Sequence, residues 1–211
     1  KSTAVPWHYI PVWMMVTTPL IYIFFFLLGL FYTFKGIIKN GVSIYSNEDE
    51  QQDFLFLLLF VMPLVAVIVL NSALYDGWRH MYFLYAPFLL ITMSGFAVAL
   101  KHARAVRSIR EYGAAGLIAG VVLFCMGSTA YQMIKNHPFQ NVYFNMLAGS
   151  NPGQSFELDY WGLSFRQGLE YIVKHDKRPI IYLSANVDPP LMNNAVFLKK
   201  HDISRLRLTD I

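Results

Sequence analysis

The sequence is short of charge and almost without cysteine. Only 14% of its 211 residues are Asp, Glu, Lys or Arg, where a soluble domain carries about 25%. Its apolar residues, 55% of the chain, must therefore be clustered rather than spread over a water-facing surface. The single cysteine, Cys125, excludes an intrachain disulfide and reads as a packed apolar residue. Also missing are a Cys/His metal spacing, a glycine-rich phosphate loop and a nucleophile elbow. No metal site and no cofactor is expected. There is no internal repeat and no low-complexity tract.

What is present is hydrocarbon, in long runs. A bilayer core of about 30 Å needs roughly 20 apolar residues in a helix. Four stretches qualify, near 12–34, 54–70, 81–100 and 114–133. The mean hydropathy of +0.40 agrees. The fold class expected is an α-helical integral membrane protein of about four spans over residues 1–133, with a small extracytoplasmic α/β unit over 134–211. Pro19, Pro63 and Pro87 fall inside spans, where they are expected to kink helices.

A net charge of +4 could suggest nucleic acid, but the cations sit elsewhere for another reason. Lys101, Arg104, Arg107 and Arg110 crowd one short loop, which positive-inside sorting places in the cytoplasm. Loop 35–53, with Lys35 and Lys39, falls on the same side. The hairpin 71–80, the N-terminus and everything after Met133 then fall on the extracytoplasmic face. No nucleic-acid partner is expected; the lipid bilayer is. Trp7, Tyr9 and Trp13 at one border, and Trp78, Tyr82 and Tyr85 at another, read as interfacial aromatic belts.

Local signals mark helix ends. Ser46-Asn47-Glu48-Asp49-Glu50 reads as a capping box opening the second span, and Ser164-Phe165-Arg166-Gln167 as another. Ile180 to Leu183 and Arg205 to Leu208 read as strands, with a helix at Ala195 to Leu198 between them. Strand, helix, strand predicts a βαβ-like unit. The chain opens without an initiator Met and stops on a strand-like alternation, so a piece of a longer protein is expected.

The hairpin Tyr75-Asp76-Gly77-Trp78-Arg79-His80 holds the candidate chemistry. Ionisable groups squeezed between two spans are costly to desolvate and raise a functional hypothesis by default. Arg79 offers a permanently charged planar fork suited to phosphate, although snorkelling to headgroups is the plainer use of such a residue. His8 and Tyr9, predicted on one face before the first span, could approach the hairpin. Glu157-Leu158-Asp159-Tyr160-Trp161-Gly162 could meet a sugar or peptide acceptor. In the plainer reading Tyr160 and Trp161 bury against the helix 164–175 while Asp159 caps a turn. His137-Pro138-Phe139-Gln140 reads as a turn.

Pro6 to Val12, the run Arg79-His80-Met81-Tyr82-Phe83-Leu84-Tyr85-Ala86-Pro87, and the stretches His137 to Asn145 and Phe156 to Gly162 together show a resemblance. They are similar to polyprenyl-phosphate-dependent glycosyltransferases of the protein O-mannosyltransferase and aminoarabinose transferase superfamily. The resemblance covers roughly residues 6–175. It implies a GT-C fold, with these residues as its C-terminal helices. It also implies transfer of a sugar from a polyprenyl-phosphate donor to a protein, lipid or glycan acceptor outside a bacterial inner membrane. By motif position it implies that Arg79 contacts the donor phosphate, that His80, Tyr82 and Asp76 stand beside it, and that His8 and Tyr9 line the donor site. The role of Asp76 stays open. The family's catalytic carboxylate is expected upstream of this chain. A non-catalytic membrane protein with a partner-binding domain in envelope assembly is the alternative. A transporter ranks below both, because the spans hold few polar groups at mid-depth.

Overall fold

A computed structural model describes residues 6–74, 77–105, 110–159, 161–185 and 188–209. In chain order the elements are α1 (Tyr9–Thr17), α2 (Leu20–Asn40), α3 (Glu48–Val69), a 3-10 turn (Arg79–Leu84), α4 (Tyr85–Ala105) and α5 (Arg110–Lys135). After them come α6 (Ser164–His175), β1 (Ile181–Leu183), α7 (Asp188–Ala195), α8 (Lys200–Arg205) and β2 (Leu206–Leu208). The chain divides into two compact units: 1–135 with 144–152, and 136–143 with 153–211.

Among the described residues, four helices are long and apolar enough to cross a membrane: 20–43, 48–69, 79–103 and 116–135. The chain is thus an α-helical membrane protein by the length and composition of these helices. The first span differs from the sequence expectation. Its apolar run is broken at Thr18-Pro19, so 12–17 belongs to the short α1, and the membrane-length helix begins at Leu20. A residue preceding proline is pushed from the helical region, and Thr18 is extended at φ −107°, ψ 139°. Pro63 remains inside α3. Pro87 sits in the first turn of α4, where the absent N–H would have had no helical partner.

The helical unit is held together where α2 crosses α4. A Cβ added to Gly29 would lie 2.2 Å from the carbonyl oxygen of Ile91, and one added to Gly95 would lie 2.0 Å from that of Phe25. Only glycine allows backbones to approach so closely, which is how helices without a water-driven force between them gain packing contact. Around this crossing Phe26 meets Phe60 and Phe88 at ring separations of 5.0 and 4.6 Å. Leu84, Ile91 and Met81 close the core. Asp53 on α3 accepts a 2.6 Å hydrogen bond from Ser94 on α4. By contrast, none of the apolar window of α5 is buried, so its surface is left for lipid.

The capping box before α3 forms. Asn47 is the cap and accepts from the Glu50 amide, while the Glu50 carboxylate takes the Ser46 amide and hydroxyl. The second expected capping box does not form. At α6 the cap residue is Leu163, with no side-chain bond of its own; Asp159 serves instead, as described below. In the second unit β1 and β2 pair in parallel, Ile181 opposite Leu206. The helix expected at 195–198 is instead a turn between α7 and α8.

The crossing yields a direct test. Gly95→Ala should cost about 3 kcal/mol or prevent folding, as overpacking against backbone does. Gly120→Ala on α5, which meets nothing within 4 Å, should leave thermal unfolding in detergent unchanged.

Candidate functional site

The segment after α3 is built to hold the 3-10 turn in place. Helix α3 ends with Leu70 bonded to Ala66 and the Ser72 amide to Val67, and Asn71 takes a left-handed φ of 48°. Tyr75 and Asp76 lie outside the described residues. Gly77 then needs its glycine twice over: its φ is 66°, and a Cβ would meet the Trp13 ring at 3.3 Å. Trp78 follows as a wedge. It is 7% exposed, and its indole N–H donates to the Thr17 hydroxyl at 3.1 Å, while that hydroxyl donates to the Trp13 carbonyl at 2.7 Å. The expectation of an interfacial belt at Trp78 is therefore corrected. The residue is core, because the helix break beside it supplies a hydroxyl for its N–H and an apolar bed for its ring.

The candidate residues come out in two groups. Arg79 opens the 3-10 turn, half-buried, with its Nε shielded from solvent. His80 is exposed. Tyr82 is exposed too, yet its ring stands edge-on to Trp78 at 5.2 Å. Burial of Met81 and Leu84, three residues apart, fixes the inward edge of the turn. Tyr9 and His8 do not share a face: Tyr9 is half-buried against the core, whereas His8 is exposed and edge-on to Trp7 at 5.4 Å. Tyr9 lines a pocket of about 210 Å³ with Pro6, Ile10, Leu64, Val67 and Asn71. None of His8, Arg79, His80 and Tyr82 lines it. Helix α1 does meet the turn, as the sequence suggested, but through Ile10, Met14, Trp13 and Thr17.

The residue that sequence reasoning missed is Asn145. Its backbone N–H donates to Val16 at 2.8 Å, and its side-chain amide donates to Met15 and to Thr18, both at 2.6 Å. Its own carbonyl oxygen accepts from the Leu147 amide. One buried asparagine thus answers the carbonyls that the break at Thr18-Pro19 sets free. Beside it Phe144 packs on Trp13 at 6.0 Å. A lone Asn among aromatics gives no sequence signal of this role. Asp53 with Ser94 was likewise unforeseen.

In the second unit Asp159 is a cap. Its carboxylate accepts the amides of Leu163 at 3.0 Å and Ser164 at 2.8 Å. Burial alone would raise its pKa, but hydrogen bonds from Ser164, Leu163 and Gly162 outweigh that and hold it below the usual carboxylate value. Trp161 is exposed, contrary to the burial expected for it in the plainer reading. Tyr160 lies outside the described residues. The turn at His137 to Gln140 is closed by a 2.8 Å contact between the Gln140 amide and His137 Nδ1. Among the described residues no cluster of three His, Cys, Asp or Glu could hold a metal.

Asn145→Ala should lower stability by about 2 kcal/mol, because the Met15 and Thr18 carbonyls lose their side-chain donor at about 1 kcal/mol or more each, while the backbone bond to Val16 is kept. Asn145→Asp, which sets an acceptor against acceptors, should be worse; thermal unfolding in detergent checks both. Asp159→Ala should cost about 1 kcal/mol, read as faster hydrogen exchange at Leu163 and Ser164. The folded-state pKa is depressed, so the cap is fully stabilising above the ordinary value of 3.8. Its contribution should fade as pH falls through the lower folded value.

No family model, curated protein or solved structure matches the chain.

Proposed function

We propose that the chain is the donor-side part of a membrane glycosyltransferase that takes a sugar from a polyprenyl phosphate at the extracytoplasmic face of a bacterial inner membrane. The observation that carries this reading is Arg79. It is a permanent cation on a turn pinned by Trp78, at the end of a helix apolar enough to span a bilayer. A snorkelling arginine needs only a flexible stem. Here the preceding residue is a buried tryptophan and the Nε is out of water. Orientation is supported at the other end of the helices. Tyr32 on α2 bonds His102 on α4 at 3.2 Å, and Lys35 stands 5.6 Å over the Tyr32 ring. The basic ends of α2 and α4 therefore share one side, as positive-inside sorting requires.

In this reaction the acceptor oxygen attacks the anomeric carbon, and the bond from that carbon to the phosphate oxygen breaks. Negative charge grows on the departing lipid phosphate. A guanidinium already in position stabilises that charge more than the ground state, which lowers the barrier. Tyr82, beside Trp78, supplies a hydroxyl and a ring at the same turn. The acceptor's proton goes to a carboxylate that the resemblance places outside this sequence.

One observation favours a second reading, a partner-binding membrane protein. Tyr182, Val196 and Phe197 in the second unit are large, apolar and exposed, as recognition surfaces are.

In the full-length enzyme, Arg79→Ala should lower kcat/KM with a polyprenyl-phosphate sugar on the order of a hundredfold, and Arg79→Lys should lose less. Near-wild-type turnover for both removes Arg79 from the mechanism. Failure of the full-length protein to consume any polyprenyl-phosphate sugar favours the binding protein.

A further inference from the structure

The second unit carries cations in excess at one place, and its packing explains why they gather. The guanidinium of Arg205, at the end of α8, donates to the carbonyls of Val173, Asp176 and Arg178. This caps the Val173 carbonyl in the last turn of α6 and two carbonyls just beyond it, and draws the start of β2 against the end of that helix. Lys174, Lys177 and Arg178 belong to the segment that Arg205 holds, and Arg207 follows Arg205 by two residues on β2, its guanidinium donating to the Ser204 and Leu206 carbonyls. The carboxylates here are already engaged. Asp176 pairs with Arg178, which draws its pKa down to about 2, and Asp202 stands 3.5 Å from Arg205. Among the described residues Lys174, Lys177 and Arg207 have no carboxylate partner. All three are exposed.

The sheet adds an aromatic to these cations. Tyr182 lies opposite Arg207 in the parallel register, so their side chains leave the sheet on the same face. Ile181, the neighbour pointing the other way, is buried in the core. The Tyr182 face is left uncovered, with Tyr182 at 66% exposure and Ile180, two residues before it, also exposed. Uncompensated cations interleaved with a tyrosine and an isoleucine suit a lipid interface, where charge meets phosphate and the amphipathic ring sits at headgroup depth. In the sequence this unit begins at Asn136, directly after α5, which is apolar enough to span a bilayer and ends at Lys135.

We propose that the exposed cations Lys174, Lys177 and Arg207, with Tyr182 on the open face of the sheet, dock on anionic phospholipid headgroups of the membrane that the chain spans. This surface does not depend on the transferase reading, since none of its residues belongs to the Arg79 turn.

The test uses the whole chain in nanodiscs, of phosphatidylcholine alone or with about one third phosphatidylglycerol, read by hydrogen–deuterium exchange. Anionic lipid should slow exchange at 174–183 and 205–208 several-fold, and salt at about 0.5 M should abolish the slowing, because exposed charges are screened over a few ångströms there. The triple variant K174E/K177E/R207E should lose the slowing, while amides near the buried Leu169 keep theirs and report an intact fold. Equal exchange in the two lipids overturns the proposal without any variant. So does slowing that survives high salt or charge reversal. Slowing that appears only on adding a soluble anionic glycan or peptide, and not with anionic lipid, overturns it in favour of a different partner.

Discussion

A broken helix with its end buried must have its freed backbone groups answered, and most of the candidate site rests on how this is done at Thr18-Pro19. Proline ends α1 and starts α2, leaving carbonyls without a helical partner. Asn145, more than a hundred residues away in sequence, covers those of Met15, Val16 and Thr18. The break in turn frees Thr17 to sit between the Trp13 carbonyl and the Trp78 indole. Trp78 is then buried beside α1, and Arg79, the next residue, is fixed by its neighbour. The position of the cation proposed to hold the donor phosphate thus follows from a polar repair at a helix break.

The second constraint is steric. Gly29 and Gly95 let α2 and α4 touch through backbone, and the aromatic cluster of Phe26, Phe60 and Phe88 fills the space beside that crossing. Helix α3 adds an interhelical hydrogen bond between Asp53 and Ser94. These contacts make α2, α3 and α4 the closely packed part of the helical unit, while α5 has no fully buried residue in its apolar window. A reacting phosphate needs fixed partners rather than mobile ones, so a turn anchored on the rigid helices is a sensible place for Arg79.

The long helices were legible because twenty apolar residues have few other uses, and the parallel strands because alternation bounded by turn residues is a local signal. The break in the first span was legible only as a proline. That Thr18 would separate two helices, rather than kink one, depended on a partner for its carbonyl, and Asn145 carries no mark of that role in the sequence. Trp78 misled for a related reason: an aromatic near a span end resembles an interfacial anchor until a hydroxyl on another helix claims its N–H. Ser164 resembled a cap, but α6 begins at Ser164 itself, and Asp159 takes the Leu163 and Ser164 amides instead. The separation of His8 from Tyr9 reflects ordinary helix rotation between consecutive residues, about 100° apart, which the expectation of a shared face overlooked.

The most direct measurement concerns the Trp78 indole. The chain has four tryptophans, so selective indole labelling gives a small set of NMR signals in nanodiscs. The account predicts that the Trp78 N–H persists in heavy water on the order of a hundredfold longer than that of the exposed Trp7, and that Thr17→Val removes most of this protection. A Trp78 indole that exchanges as fast as Trp7, or one indifferent to loss of the Thr17 hydroxyl, would contradict the anchored turn on which the placement of Arg79 depends.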